Sequence, residues 1–334
     1  MKRLFPTIAM AVCFMTMTAQ EATISDSEKV LVERVKKLKK MQKQIAERCW
    51  PDFAKPELTA PIIVYSDTAC YLVNPKERLL NTHPSMRIYD NDYLLYRTAL
   101  LDSIPFHMDT HCEVFDTNTF WGTTPYVRCS SLESIQKSSP DDSELSWLPM
   151  VLHEMAHGCQ QMFSGFFKAK GTVNYLVHPL ELMQYQQKDN WLNKLLCKEN
   201  DHLLKALGAK DLKEQNKEIR LFLDVRKERK EKMTEELGAD YVRLEEVHEL
   251  AESLARYCEV QAYILLDIPG YTEDMEFFTQ MNNGGYFFVT GYNLIRLFRK
   301  LGINLSTPYQ AETVVPLEKI LEANIRQALG DLPL

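Results

Sequence analysis

The pentapeptide His153-Glu154-Met155-Ala156-His157 constrains the fold of this chain more than any other stretch. In an α-helix, residues four apart lie one above the other on the same face. The two imidazoles can share one metal ion only if the segment is helical and that face stays partly open. A structural zinc is closed by four protein ligands, whereas a catalytic one takes three and keeps a position for water or substrate. The chain must then bring a third ligand from a separate element to this helix. Glu154, beside the first histidine, is suited to act as a general base on water activated at such a centre.

The surrounding sequence narrows the third ligand. Six residues after His157 stands Phe163, and three after it stands Gln160, so a third histidine at the spacing of a three-histidine protease is excluded. A carboxylate from another helix is expected instead.

Glu252-Ser253-Leu254-Ala255-Arg256-Tyr257, following the HExxH motif, resembles the pattern of the gluzincins. That superfamily of zinc metallopeptidases includes thermolysin and the leukotriene-hydrolase/aminopeptidase group. Many members write the second segment as Glu-Gly-x-Ala-x-Tyr, and Ser253 stands here in place of the glycine. Arg226 and Arg229, then Tyr241, then Glu245 and Glu246 ahead of the ligand segment are similar to uncharacterised exported bacterial members. The resemblance covers roughly residues 145–300. It implies a zincin-like catalytic region and one Zn²⁺ per chain, held by His153, His157 and Glu252. It also implies Glu154 as catalytic base and a peptide or protein substrate. Other acids compete for the ligand role: Glu236 lies in Glu236-Leu237-Gly238-Ala239-Asp240, a Glu-x-x-x-Asp form that other gluzincins use, and Glu249 lies one turn before Glu252.

The donor that would stabilise the transition state is less defined. In the aminopeptidase-like branch it is a tyrosine three residues before a helix glycine. Gly291 resembles that glycine, but Phe288 occupies the donor position. Tyr286, Tyr292 and His248 are the remaining candidates. The Gly-x-Met-x-Asn segment of the aminopeptidases is absent, which weakens an exopeptidase reading. Ligand histidines donate their second N–H to a carboxylate or carbonyl. Arg256, four residues after Glu252, cannot accept it, which leaves Glu181, Asp240, Glu245 and Glu249 as candidates otherwise read as surface acids. Ser253 and Phe288 also fit a catalytically silent binding protein on the same fold. Hydrolysis of a non-peptide amide or ester is a third reading.

The rest of the chain sets the context. Met1-Lys2-Arg3, an apolar run to Met17, and Thr18-Ala19-Gln20-Glu21 have the form of a signal peptide over residues 1–19. The expectation is an exported protein, periplasmic or secreted. No later stretch is apolar for long enough to span a membrane, and a net charge of −7 gives no general field for nucleic acid. The seven cysteines beyond the leader show no CxxC pair, and no bridge is assigned.

An amphipathic helix is expected within residues 20–56. Ser25 and Glu28 form its capping box, and Leu31, Val35, Leu38 and Ile45 form its stripe. A catalytic domain spans 57–334. Short β-branched and aromatic runs at 61–65, 71–73 and 124–127 read as strands. Pro149 fits the first turn of the motif helix, which runs to about Phe163. From 179 to 267 the pattern is almost continuously helical, with an insertion at about 180–235 whose Lys-, Glu- and Arg-rich part reads as a solvated helix. Further helices are expected at 291–301 and 317–329. Strands first and helices afterwards gives an α+β fold, strand-rich and then mostly helical.

Overall fold

Ser25 starts the first helix, α1 (Asp26–Arg48), through a reciprocal cap: its hydroxyl accepts the Glu28 N–H, and the Glu28 carboxylate accepts the Ser25 N–H at 2.8 Å. Leu31, Val35, Leu38 and Ile45 are buried as one stripe against the rest of the chain. The computed structural model describes residues 24–111, 124–170, 173, 177–188, 191–281, 285–310, 312, 313 and 315–329. The leader expected at 1–19 lies outside the described residues, as does Cys112. The other six cysteines beyond the leader are free thiols.

A six-stranded mixed sheet follows α1. It contains β1 (Ile62–Tyr65), β2 (Cys70–Val73), β3 (Ser85–Asp90), β4 (Leu94–Thr98), β5 (Met108–His111) and β6 (Tyr126–Ser130), with the short α2 (Glu77–Thr82) after β2. The spatial order is β3-β4-β2-β1-β6-β5. Only β1 and β6 run parallel; the other neighbours are antiparallel. β1 is buried on both faces, as its unbroken apolar run requires. Ile62 and Val64 join the main core, while Ile63 and Tyr65 face a smaller one with Leu72 and Leu79. β5 lies at one edge of the sheet.

After α3 (Leu132–Gln136), the motif helix α4 (Glu144–Gln161) crosses the sheet. It starts where Pro140-Asp141-Asp142-Ser143 reads in sequence as a turn and a helix start; Ser143 and Ser146 form a capping box, and Pro149 lies inside the helix, beyond its first turn. A proline there withholds the N–H that the Leu145 carbonyl would receive, and its ring crowds that carbonyl. Gly158 sets the approach of α4 to the sheet: a Cβ in its place would stand 2.7 Å from the Ala60 Cβ.

The remaining elements are helical: α5 (Ser164–Lys170), α6 (Pro179–Gln187), α7 (Trp191–Gly208), α8 (Leu212–Glu236), α9 (Ala239–Leu265), α10 (Glu276–Thr279), α11 (Tyr286–Lys300), α12 (Thr307–Gln310) and α13 (Leu317–Leu329). The architecture is α+β. Among the described residues, no helix is long and apolar enough to cross a membrane. α11 lies against α9 where Gly291 meets Ser253; a Cβ on Gly291 would stand 2.8 Å from that of Ser253.

α8 is not simply a solvated helix. Arg226 is 1% exposed and Arg229 is fully buried. Arg226 forms a two-pronged pair with Glu249 on α9 at 2.7 and 2.9 Å and reaches Glu199 on α7 at 3.1 Å. Arg229 does the same with Glu245 at 2.6 and 2.7 Å, and it also reaches Glu199. Buried guanidinium groups persist only with such pairing, and planar forks match carboxylates well. Glu245 and Glu249, read from sequence as surface acids, are interior partners that fasten α9 to the α7–α8 hairpin.

Candidate metal centre

α4 and α9 together build the centre. The Nε2 atoms of His153 and His157 lie 3.1 Å apart. Glu252 Oε2 lies 3.4 Å from the first and 3.5 Å from the second. A tetrahedral ion with ligand distances of about 2.0–2.2 Å separates its ligand atoms by roughly 3.3–3.5 Å. The three atoms therefore form a triangle of the size that one zinc ion requires. Glu154 also has an oxygen within 4.8 Å of both rings. The Glu252 oxygen is close to both rings at once, however, and completes the triangle, which leaves Glu154 outside it.

Each imidazole is oriented from behind. His153 Nδ1 donates to Glu259 Oε2 at 2.9 Å. Arg256 Nη1 donates to both oxygens of Glu259, at 2.7 and 2.8 Å. His157 Nδ1 donates to Gln160 Oε1 at 2.9 Å, and the Gln160 amide donates in turn to the Ala251 carbonyl and the Tyr309 hydroxyl. With each Nδ1 carrying the proton, each Nε2 turns its lone pair toward the centre.

The electrostatics agree. Burial pulls the His153 imidazole down, but hydrogen bonds to Glu252 and Glu259 more than offset this and push it up to about 10. Burial works to raise Glu252, yet His157 and His153 hold it well below the usual carboxylate range. The carboxylates around these two rings favour positive charge at their centre, and a divalent cation supplies that charge.

Glu154 is held by the sheet edge. Thr110 on β5 lies 2.6 Å from the Glu154 carbonyl and 3.0 Å from its Oε2 through one hydroxyl. The centre opens into a cavity of about 630 Å³, walled in part by Met150, Phe166, Val247 and Phe288.

Of the three candidate transition-state donors, only His248 lines this cavity. Burial pushes its imidazole down. Glu252 pulls the other way, and Lys170, His157 and His178 add to the lowering. The Tyr286 hydroxyl is instead committed to Glu245 inside the α8–α9 network. The Tyr292 hydroxyl donates to the Glu273 carbonyl at 2.8 Å. Both tyrosines are buried, Tyr286 in the cluster with Leu192 and Met233 and Tyr292 in the main core.

The other acids are also placed elsewhere. Glu249 is clamped by Arg226, Glu236 accepts from Trp191 Nε1 at 2.6 Å, and Glu181 accepts from the Tyr241 hydroxyl. Asp240 does not line the cavity.

Sequence reasoning missed Glu259, Gln160, Thr110 and Tyr309. Glu259 carried a usable signal, since it lies seven residues, or two helical turns, after Glu252 and so on the same face. Gln160 was noted only as a departure from another motif. Comparison with protein-family models, with curated proteins and with solved structures finds no match, so the geometry of these side chains carries the functional reading.

Proposed function

We propose that this protein is an exported zinc-dependent metallopeptidase of gluzincin type, with the ion held by His153, His157 and Glu252. The observation that carries the proposal is the triangle of ligand atoms at 3.1, 3.4 and 3.5 Å, each histidine backed by its own acceptor. A zinc ion bound there lowers the pKa of water and polarises a substrate carbonyl.

The chain's own residues supply the rest. Glu154 accepts the proton of the attacking water at its carboxylate and passes it to the leaving amine. Thr110 fixes the direction of that carboxylate from the neighbouring strand. His248 is the candidate donor to the developing oxyanion. The edge position of β5 beside the centre suits an extended peptide, which can add its backbone hydrogen bonds to a strand edge. Export follows from the form of the leader sequence.

The second reading is a catalytically silent zinc-binding protein. Its support is Phe288, which lines the cavity where a tyrosine donor is expected. Metal analysis combined with Glu154→Gln separates the readings. The peptidase reading expects about one zinc per chain in both proteins and peptide hydrolysis in the wild type alone. A wild-type protein that binds no zinc rejects both readings. Zinc without turnover across a broad peptide library leaves the silent one.

A further inference from the structure

A second pocket adjoins the cavity of the candidate centre and shares a wall with it, because Met150 lines both. This pocket, of about 200 Å³, lies between the start of β5, α3 and the N-terminal half of α4. Phe106, Met108, Leu132, Ile135 and Trp147 form the rest of its apolar wall. Its size suits one side chain, since pockets for whole small ligands run to roughly 300–1,000 Å³.

Its place beside the centre follows from two periods. Met108 and Thr110 lie two apart on β5 and so point to the same face of the sheet. Thr110 reaches Glu154 there, so Met108 stands on the side that α4 covers. On α4, Met150 and Trp147 precede Glu154 by about 6 and 10 Å along the axis. A strand rises about 3.3 Å per residue. A peptide lying along β5 with its scissile bond at Glu154 therefore brings a side chain two or three residues away over this pocket.

The lining chemistry selects what enters. Phe106 is 54% exposed, and Met108, Ile135 and Met150 are half-buried, so the mouth presents apolar surface to solvent. The polar groups are already engaged: the Ser138 hydroxyl donates to the Ile135 carbonyl at 3.0 Å, and the Ser146 hydroxyl is taken up by the cap of α4. Among the described residues, Asp142 is the one charged side chain that lines the pocket, and it disfavours an acidic occupant.

We propose that this pocket takes a large apolar side chain of the peptide substrate, two or three residues from the bond that is cut. The protein then selects peptides that are apolar at that position. The inference rests on the metallopeptidase reading for its view of the ligand as a peptide lying on β5.

The test is calorimetric binding to zinc-loaded Glu154→Gln protein. The probes are short, capped, uncharged peptides in which one position at a time carries Leu in place of Ala. At one position, Leu should bind tighter than the alanine parent by about tenfold. The main cavity also has apolar walls, so two variants of the second pocket decide where the gain arises. Ser139→Trp, at its rim, fills the pocket, and Phe106→Ser removes part of its wall. Both positions are exposed, so neither change disturbs the core. Ser139→Trp should remove most of the leucine gain and Phe106→Ser part of it. No gain at any position, or a gain that both variants leave intact, overturns the proposal. Failure of the peptidase reading looks different: the apolar preference and its loss in the variants are seen, but the wild-type protein cleaves none of the peptides.

Discussion

Glu259 Oε2 stands 2.9 Å from Nδ1 of His153, so α9 grips that ring from both sides. Glu252 faces its Nε2, and two turns later Glu259 fixes the proton on the opposite nitrogen. The helix that carries the proposed third ligand thus also sets the tautomer of the first.

Glu259→Gln should weaken zinc binding by about 10–100-fold, the range for losing an outer-shell partner of a ligand histidine. Arg256→Met, one step further out, should have a smaller effect in the same direction. Competition against a chromophoric chelator measures both. Wild-type affinity in Glu259→Gln would remove the orienting role.

Thr110→Val keeps the side-chain shape but deletes the hydroxyl beside the Glu154 carboxylate. We expect kcat to fall by about tenfold, worth about 1.4 kcal/mol of barrier, with KM and zinc content little changed. Thr110→Ser should recover most of the loss. A KM effect without a kcat effect would assign Thr110 to substrate binding instead.

Gly291→Ala forces a methyl group against Ser253, where a Cβ stands 2.8 Å away. Overpacking of this kind costs about 1–3 kcal/mol. Adding Ser253→Gly should return part of it, because the two residues share one contact. Urea denaturation of the two single variants and the double variant gives the coupling. Simple additivity would show that the helices adjust elsewhere.

Acid should loosen the clamp between α8 and α9. Burial works to raise Glu245, but Arg229 outweighs it and lowers the carboxyl from 4.5 to about 2. A depressed carboxyl stabilises the fold fully above its unfolded value and loses that contribution as pH falls through the folded one. Stability should therefore drop between about pH 4.5 and pH 2. Glu245→Gln should cost about 3–5 kcal/mol at pH 7 by breaking a buried pair, and it should flatten the acid limb. Denaturation midpoints at pH 7, 4.5 and 3 check this. An acid limb as steep as that of the wild type in Glu245→Gln would place the titrating group elsewhere.

The parts legible in the sequence are those with a strong period. α1 announced itself by its capping box and stripe, and α4 by its histidines four apart. Glu252 stood out because a short segment around it follows a recognisable pattern, and its carboxylate lies beside both rings. β5 was not legible: Met108-Asp109-Thr110-His111 has no apolar alternation, since as an edge strand it is only half-buried. Arg226 and Arg229 looked solvated because a charge buried by pairing is indistinguishable, in one helix's pattern, from a charge facing water. Their partner Glu199 lies on another helix. Tyr286 and Tyr292 were misplaced because the rotation of α11 is decided by the fit of Gly291 against Ser253, a contact between separate segments.

The acids of α9 carry a consequence for assembly. Glu245, Glu249, Glu252 and Glu259 all point into the interior, and like charges three or four residues apart oppose helix formation in isolation. Their compensation comes from outside, from two arginines of α8 toward the N-terminal end of α9 and two histidines of α4 toward its C-terminal end. The α7–α8 hairpin is the more local of these partnerships in sequence, which favours its forming first and acting as the template on which α9 winds. The edge that carries the candidate centre then closes last. Loss of the hairpin's grip would displace the proposed third ligand with no change at any ligand residue, so retention of an ion there would depend on a clamp one to two turns away along the same face of the helix.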